Sequence, residues 1–142
     1  MSIMNWDECK KDFIRKVEID LERIESLIKR ANQRLKRAES TKISLDNVSF
    51  VVEDYYEIIK ELLVAYLLKE GLRAKNHQCL ISYFYKNNPN YEREAFLISQ
   101  MSFFRNRLDY YGEDIPFEFY TENKEEFKKI INLLLKLIGR KK

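Results

Sequence analysis

Glycine and proline are nearly absent, at three and two in 142 residues. A sheet protein needs tight turns, and those turns draw on both residues, so their scarcity excludes a multi-stranded β architecture and favours long helices joined by few loops. Histidine occurs once, at His77, so a histidine-based metal cage has no material. No HExxH, glycine-rich phosphate loop or carboxylate cluster exists either, so metal hydrolysis and nucleoside-triphosphate turnover find no support and no cofactor is expected. No apolar stretch reaches the length of a membrane span, and the first residues lack the apolar core of a signal peptide, so the expected location is the cytoplasm. The two cysteines, Cys9 and Cys79, have no metal-type spacing and read as idle thiols in a reducing compartment.

What remains is ample for one folded unit. Hydrophobic residues make up 45% and charged residues 35%, so residues 1–142 read as a single globular domain with its own core. Lysine, glutamate and isoleucine are plentiful, in the manner of a thermophile's ion-pair-rich surface. The net charge of +3 is too small to point to nucleic acid by itself. The basic end, Gly139 to Lys142, reads as a solvated tail.

Apolar spacing then places the helices. Ile14, Val17, Leu21, Ile24, Ile28, Ala31, Leu35 and Ala38 recur at steps of three and four, which predicts one long helix over 6–39. Val51 to Leu67 is apolar around most of its girth, which predicts a central helix capped by Ser44 or Asp46 and closed by Gly71. Asn76 opens a shorter helix that buries Leu80, Ile81, Phe84 and Tyr85 and breaks at Asn87-Asn88-Pro89-Asn90. A fourth helix runs from Glu92 to Tyr111 with a seam of Leu97, Met101, Phe104, Leu108 and Tyr111, and Gly112 ends it. After an irregular aromatic stretch over 113–120, a last helix over 122–138 buries Phe127, Ile130, Ile131, Leu134 and Ile138. The fold class is all-α, an antiparallel up-and-down bundle of four to five helices.

Two segments carry a family resemblance. Tyr55-Tyr56-Glu57-Ile58-Ile59-Lys60-Glu61-Leu62-Leu63, continuing through Gly71, Arg73 and His77 to Phe84, resembles the second and third helices of prokaryotic HEPN domains. Phe104-Arg105-Asn106-Arg107-Leu108-Asp109-Tyr110-Tyr111-Gly112 is similar to the arginine-bearing signature on their fourth helix, in a form like that of archaeal members. The family pattern follows the arginine with a histidine after four to six residues. Here Tyr110 or Tyr111 stands in that place, and no histidine follows Arg105. A phenol with a pKa near 10 is poorly matched to metal-free RNA cleavage, which needs a proton carrier near neutrality.

The resemblance implies a homodimer that binds nucleotide or RNA and partners a nucleotidyltransferase in a toxin–antitoxin or defence-type system, with a degenerate ribonuclease motif. The alternatives are an active metal-independent RNA endonuclease using Arg105, Asn106 and Tyr110, and a structural module that holds a partner protein. On the residues alone, Arg105 and Asp109 form an ordinary helix ion pair one turn apart or a phosphate ligand with its orienting carboxylate. Asn106 and Tyr110 offer an amide and a phenol to a ribose or phosphate. Glu57 and Glu61 are candidates to orient Arg105, and His77 is a structural hydrogen-bonding residue or the one side chain that titrates near neutrality unaided. The wide apolar helix and the aromatics Phe117, Phe119 and Tyr120 suggest more apolar face than one chain covers, hence a twofold dimer.

Overall fold

The computed structural model describes residues 3–139, so the basic tail beyond Gly139 lies outside the described residues. Within them the chain forms six α-helices: α1 (Trp6–Asp12), α2 (Leu21–Ser40), α3 (Val48–Lys69), α4 (His77–Asn87), α5 (Glu92–Tyr111) and α6 (Phe117–Gly139). Two three-residue strands, β1 (Ile14–Lys16) and β2 (Leu72–Ala74), and a single 3-10 turn at Pro89–Tyr91 complete it. The all-α class expected from composition is what forms. Among the described residues no helix is long and apolar enough to cross a membrane.

The expected helix over 6–39 is broken. Asn5 caps α1 by accepting from the Asp7 and Glu8 amides, but the chain leaves the helix at Phe13. Ile14 to Lys16 then pairs antiparallel with Leu72 to Ala74. The β-branched Ile14, Val17 and Ile19 are at home in extended backbone, and Asp20 restarts a helix by accepting from the Arg23 amide at 3.0 Å. From Ile24 onward the expected seam holds, with Ile24, Ala31 and Ala38 buried and Ile28 and Leu35 partly buried against the core; Leu27, outside that seam, is buried too, whereas Leu21 is exposed. The cysteines are also corrected. Cys9 of α1 and Cys79 of α4 are both buried and joined in a disulfide with Cα atoms 5.5 Å apart, rather than idle thiols.

Helix α3 is the centre, and most of its residues are buried. Neither the Ser44 nor the Asp46 side chain caps it. The Ser44 carbonyl accepts from the Val48 amide at 3.1 Å, and Asn47 folds its side chain back onto the Ser44 amide. At the far end Gly71 has φ +73 and donates its amide to Leu68. A Cβ there would also stand 3.3 Å from the Val17 carbonyl oxygen, so this glycine serves both the helix stop and the close approach of β1.

Side-chain pairs give the directions. Arg37 meets Asp54 while Arg30 meets Glu61, so α2 and α3 are antiparallel. Glu57 meets Arg105, and Tyr85 meets Glu92 while Gln78 meets Ser102, so α5 returns against its neighbours. Tyr56 with His77 and Tyr66 with Tyr83 advance in the same sense, because β2 carries the chain back along α3 before α4 begins. Asn76 caps α4 as expected, accepting from Cys79 at 2.9 Å. Gly112 closes α5 with φ +65. Of the expected α5 seam, Met101 is buried and Leu97, Phe104 and Leu108 pack partly buried on the core, with Ala95, Ile98 and Ser102 buried beside them, while Tyr111 is 69% exposed.

Helix α6 begins at Phe117, so the second half of the expected irregular stretch is helical while 113–116 is not. Phe119 is buried between Phe104, at 4.7 Å between ring centres, and Phe127, at 5.8 Å. Phe117 and Tyr120 also pack on the core, both partly buried. The five residues expected to be buried on the last helix pack into the core with Leu62, which is 0% exposed. Leu62→Ala should therefore leave a cavity and lower stability by about 2–5 kcal/mol. Lys29→Ala, on the exposed side of α2, should change it by less than about 0.5 kcal/mol. Urea melts of the two variants test this, and equal midpoints would contradict the assigned helix phases.

Candidate functional site

Helix α3 has almost no wet side, so its charged residues sit at the seams with its neighbours. Two sets result. Asp54 and Glu61 face α2, where Glu61 is held by Arg30 and Arg34 at 2.7 Å each and Asp54 by Arg37 at 3.0 Å. Glu53, Glu57 and Lys60, spaced four and three apart, face the other way towards α5. Glu61 therefore ties two helices together and does not orient Arg105. Glu57 does.

At the α3–α5 seam the Arg105 Nη2 donates to Glu57 Oε1 at 3.3 Å. Its Nε lies 3.1 Å from Asp109 Oδ2, but that N–H is not aimed at the oxygen, so the contact is an ion pair without a good hydrogen bond. Lys60 Nζ approaches Glu57 Oε2 at 2.5 Å. Arg105 keeps 23% of its side chain exposed. The helix ion pair of Arg105 with Asp109 exists, and it holds the guanidinium at the border of the core.

Glu53 completes the cluster and was not singled out from the sequence. It shares a hydrogen bond with Asp109, and its pKa rises from 4.5 to about 7. Burial is the largest cause, followed by the Asp109 hydrogen bond and repulsion from Asp109, with repulsion from Glu57 smallest; Arg105 opposes them in part. Three carboxyls here face two cations, Arg105 and Lys60, and a retained proton brings the cluster to balance. The signal in the sequence was the Glu53-Glu57-Lys60 spacing on an otherwise apolar helix.

His77 enters from the start of α4. It is half-buried against Tyr56, and its pKa falls below 6.5 through burial, then through Lys60 and Arg105, with Glu57 opposing. Tyr56 is buried beneath the cluster, its hydroxyl bonded to Ser102, which also receives Gln78 Nε2 at 3.3 Å. Burial pushes the Tyr56 phenol up, which suits a fixed hydrogen-bonding group better than a proton carrier.

No family model, curated protein or solved structure matches this chain.

Asn106 and Tyr110 lie on the outer side of α5. Asn106 is partly exposed and Tyr110 is 76% exposed, and neither side chain has a protein partner among the described residues. Arg107 lies over the Tyr111 ring at 4.7 Å and pairs with Glu113 on the exposed surface of the helix end. Of the candidates, the fold brings Arg105, Glu57, Asp109 and His77 together, leaves Asn106 and Tyr110 beside them facing out, and takes Glu61 away. No group of three or more potential metal ligands exists among the described residues.

The titrations have a sign. Between pH 4.5 and about 7 the native state holds a proton on Glu53 that the unfolded chain releases. Its contribution is full below 4.5 and is lost as the pH rises through 7. His77 acts oppositely: with its pKa lowered from 6.5, its contribution is present above that value and lost as the pH falls. Glu53→Gln should therefore flatten the decline of the urea midpoint with rising pH across this window. An unchanged pH slope would show that Glu53 does not hold the proton.

Proposed function

We propose that this chain is a HEPN-like protein that binds nucleotide or RNA at the Arg105 face as a homodimer and is not an efficient ribonuclease. The observation that carries the binding part is the state of Arg105. Glu57 and Asp109 hold Nη2 and Nε, Nη1 makes no hydrogen bond, and the neighbouring Asn106 amide and Tyr110 phenol are unpartnered among the described residues. A guanidinium fixed on two sides is preorganised to offer its remaining donors to a phosphate, with an amide and a phenol placed for the sugar. The surrounding carboxyls limit long-range attraction, so the ligand is held by these short contacts more than by net charge.

The resemblance supplies the setting: a toxin–antitoxin or defence-type system in the cytoplasm, with a nucleotidyltransferase as partner. A disulfide is unusual in most cytoplasmic proteins, but it accords with the thermophile-like composition. A second reading, the metal-independent endonuclease, is favoured by one observation. Glu53, with its pKa near 7, supplies beside Arg105 a neutral-range proton carrier that α5 itself lacks. The interaction-module reading is favoured by Phe103 and Tyr110, rings on α5 that are 43% and 76% exposed.

Labelled RNA incubated in chelator with purified variants separates these. Wild type is expected to bind and leave the RNA intact, and Arg105→Ala to weaken binding and make its salt dependence shallower. Tyr110→His, which places a group of pKa near 6.5 at the family's position, should gain weak cleavage that Arg105→Ala/Tyr110→His loses. Robust metal-free cleavage by wild type, abolished by Arg105→Ala, would put the nuclease first.

The homodimer rests on α5 as well. Phe96, Phe103, Tyr110 and Tyr111 are exposed rings on this one helix, an apolar surface that a second copy would cover. Light scattering at tens of micromolar should give twice the 17.3 kDa chain mass, and Phe103→Glu should reduce it towards the monomer. A monomer mass for wild type would rule the dimer out.

A further inference from the structure

The β1–β2 ribbon has a one-sided composition. Its strands and the residue after them carry Arg15, Lys16, Arg73 and Lys75 and no carboxylate. Arg15 stands directly opposite Arg73 in the antiparallel register, and both are exposed, while Ile14, Leu72 and Ala74 pack towards the core. Like charges directly across a strand pair repel. None of the four cations is within ion-pair distance of a carboxylate among the described residues. Glu18, Asp20 and Glu22 follow in the connection to α2, where the Asp20 side chain is engaged in capping.

Beside the ribbon lies a hollow of about 190 Å³. Arg23, Arg73, Lys75 and His77 line it over a floor that includes Leu67 and Leu80, and no Phe, Tyr or Trp lines it. Helix α4 starts here, and Asn76 occupies only its Cys79 amide, so the positive end of the helix adds to the same sign of potential. Exposed cations can simply keep a short ribbon from pairing with another chain. That role does not require two arginines face to face, nor a third from α2 at the same hollow.

We propose that the outer face of this ribbon docks the phosphate backbone of a single nucleic-acid strand, with Arg15 and Arg73 on neighbouring phosphates and Arg23 and Lys75 holding the strand at the hollow. The bound phosphates remove the repulsion between the two arginines. Without aromatic rings to stack bases, the face reads charge and backbone, so it tolerates sequence and does not distinguish RNA from DNA. The site is separate from Arg105. It shares with the function proposed above only the class of ligand, and His77 borders both.

The test is fluorescence anisotropy of a labelled single-stranded oligonucleotide of about a dozen residues, as RNA and as DNA, over a series of salt concentrations. Arg15→Ala/Arg73→Ala should weaken binding about tenfold and make the slope of log affinity against log salt shallower by about 1.4, the value for two lost single-strand contacts. Lys29→Ala/Lys36→Ala, an equal charge change on the exposed side of α2, should do neither. Arg15→Lys/Arg73→Lys keeps the charge and should retain the slope; if it loses binding, the arginines act through the ribbon's structure and the assignment falls. The proposal is also overturned by an unchanged slope in the alanine pair, by an equal loss in the α2 control, by a strong preference for RNA, or by wild type that binds polyglutamate and no nucleic acid. Binding lost in the ribbon variants but kept in Arg105→Ala would uphold this site and count against the Arg105 site; the reverse would do the opposite.

Discussion

The structure depends on one constraint: α3 is a 22-residue helix with water on almost none of its faces. A charge on such a helix cannot be left to solvent, because burying it unpaired costs several kcal/mol. Asp54, Glu57 and Glu61 of α3 are therefore drawn to seams where a neighbouring helix supplies the opposite sign. The Glu61 side chain, only 8% exposed, gathers Arg30 and Arg34 and so sets how α2 lies on α3. Glu57 does the same for α5 through Arg105. The bundle is assembled by apolar area, and these few ions join α3 to α2 and to α5.

The two seams differ in balance. At the α2 seam, arginines exceed acids and their side chains extend into solvent, so any surplus is hydrated. At the α5 seam, acids exceed cations in a partly buried place, and the surplus cannot be hydrated as readily. Protonation of Glu53 is the resolution. The Glu61 seam, with its acids already matched by arginines, holds no carboxyl raised in this way.

The N-terminal third is organised by different means. The disulfide joins α1 to α4, the Val17 amide donates to the Gly71 carbonyl at 2.9 Å, and the Lys75 amide donates to Phe13 at 2.8 Å. These ties hold two strands of three residues that would not persist alone. They place Arg23 and Arg73, which are distant in sequence, around one hollow, and they position the start of α4 so that His77 reaches the Arg105 cluster.

Much of this was legible in the residues. The all-α class, the central helix, the Gly71 and Gly112 stops, the Asn76 cap and the limits of α5 follow from local rules: apolar spacing, glycine's access to positive φ, and side-chain capping. The pairing of Arg105 with Asp109 followed from helix spacing alone. The break in the first helix did not, because an apolar period that suits a helix was overridden by pairing with a strand some sixty residues away. The choice between Glu57 and Glu61 for Arg105, the protonated Glu53, the disulfide and the cationic hollow were likewise beyond the sequence. Each depends on which faces meet and on how far water is excluded where they do, and only the packed tertiary structure decides that.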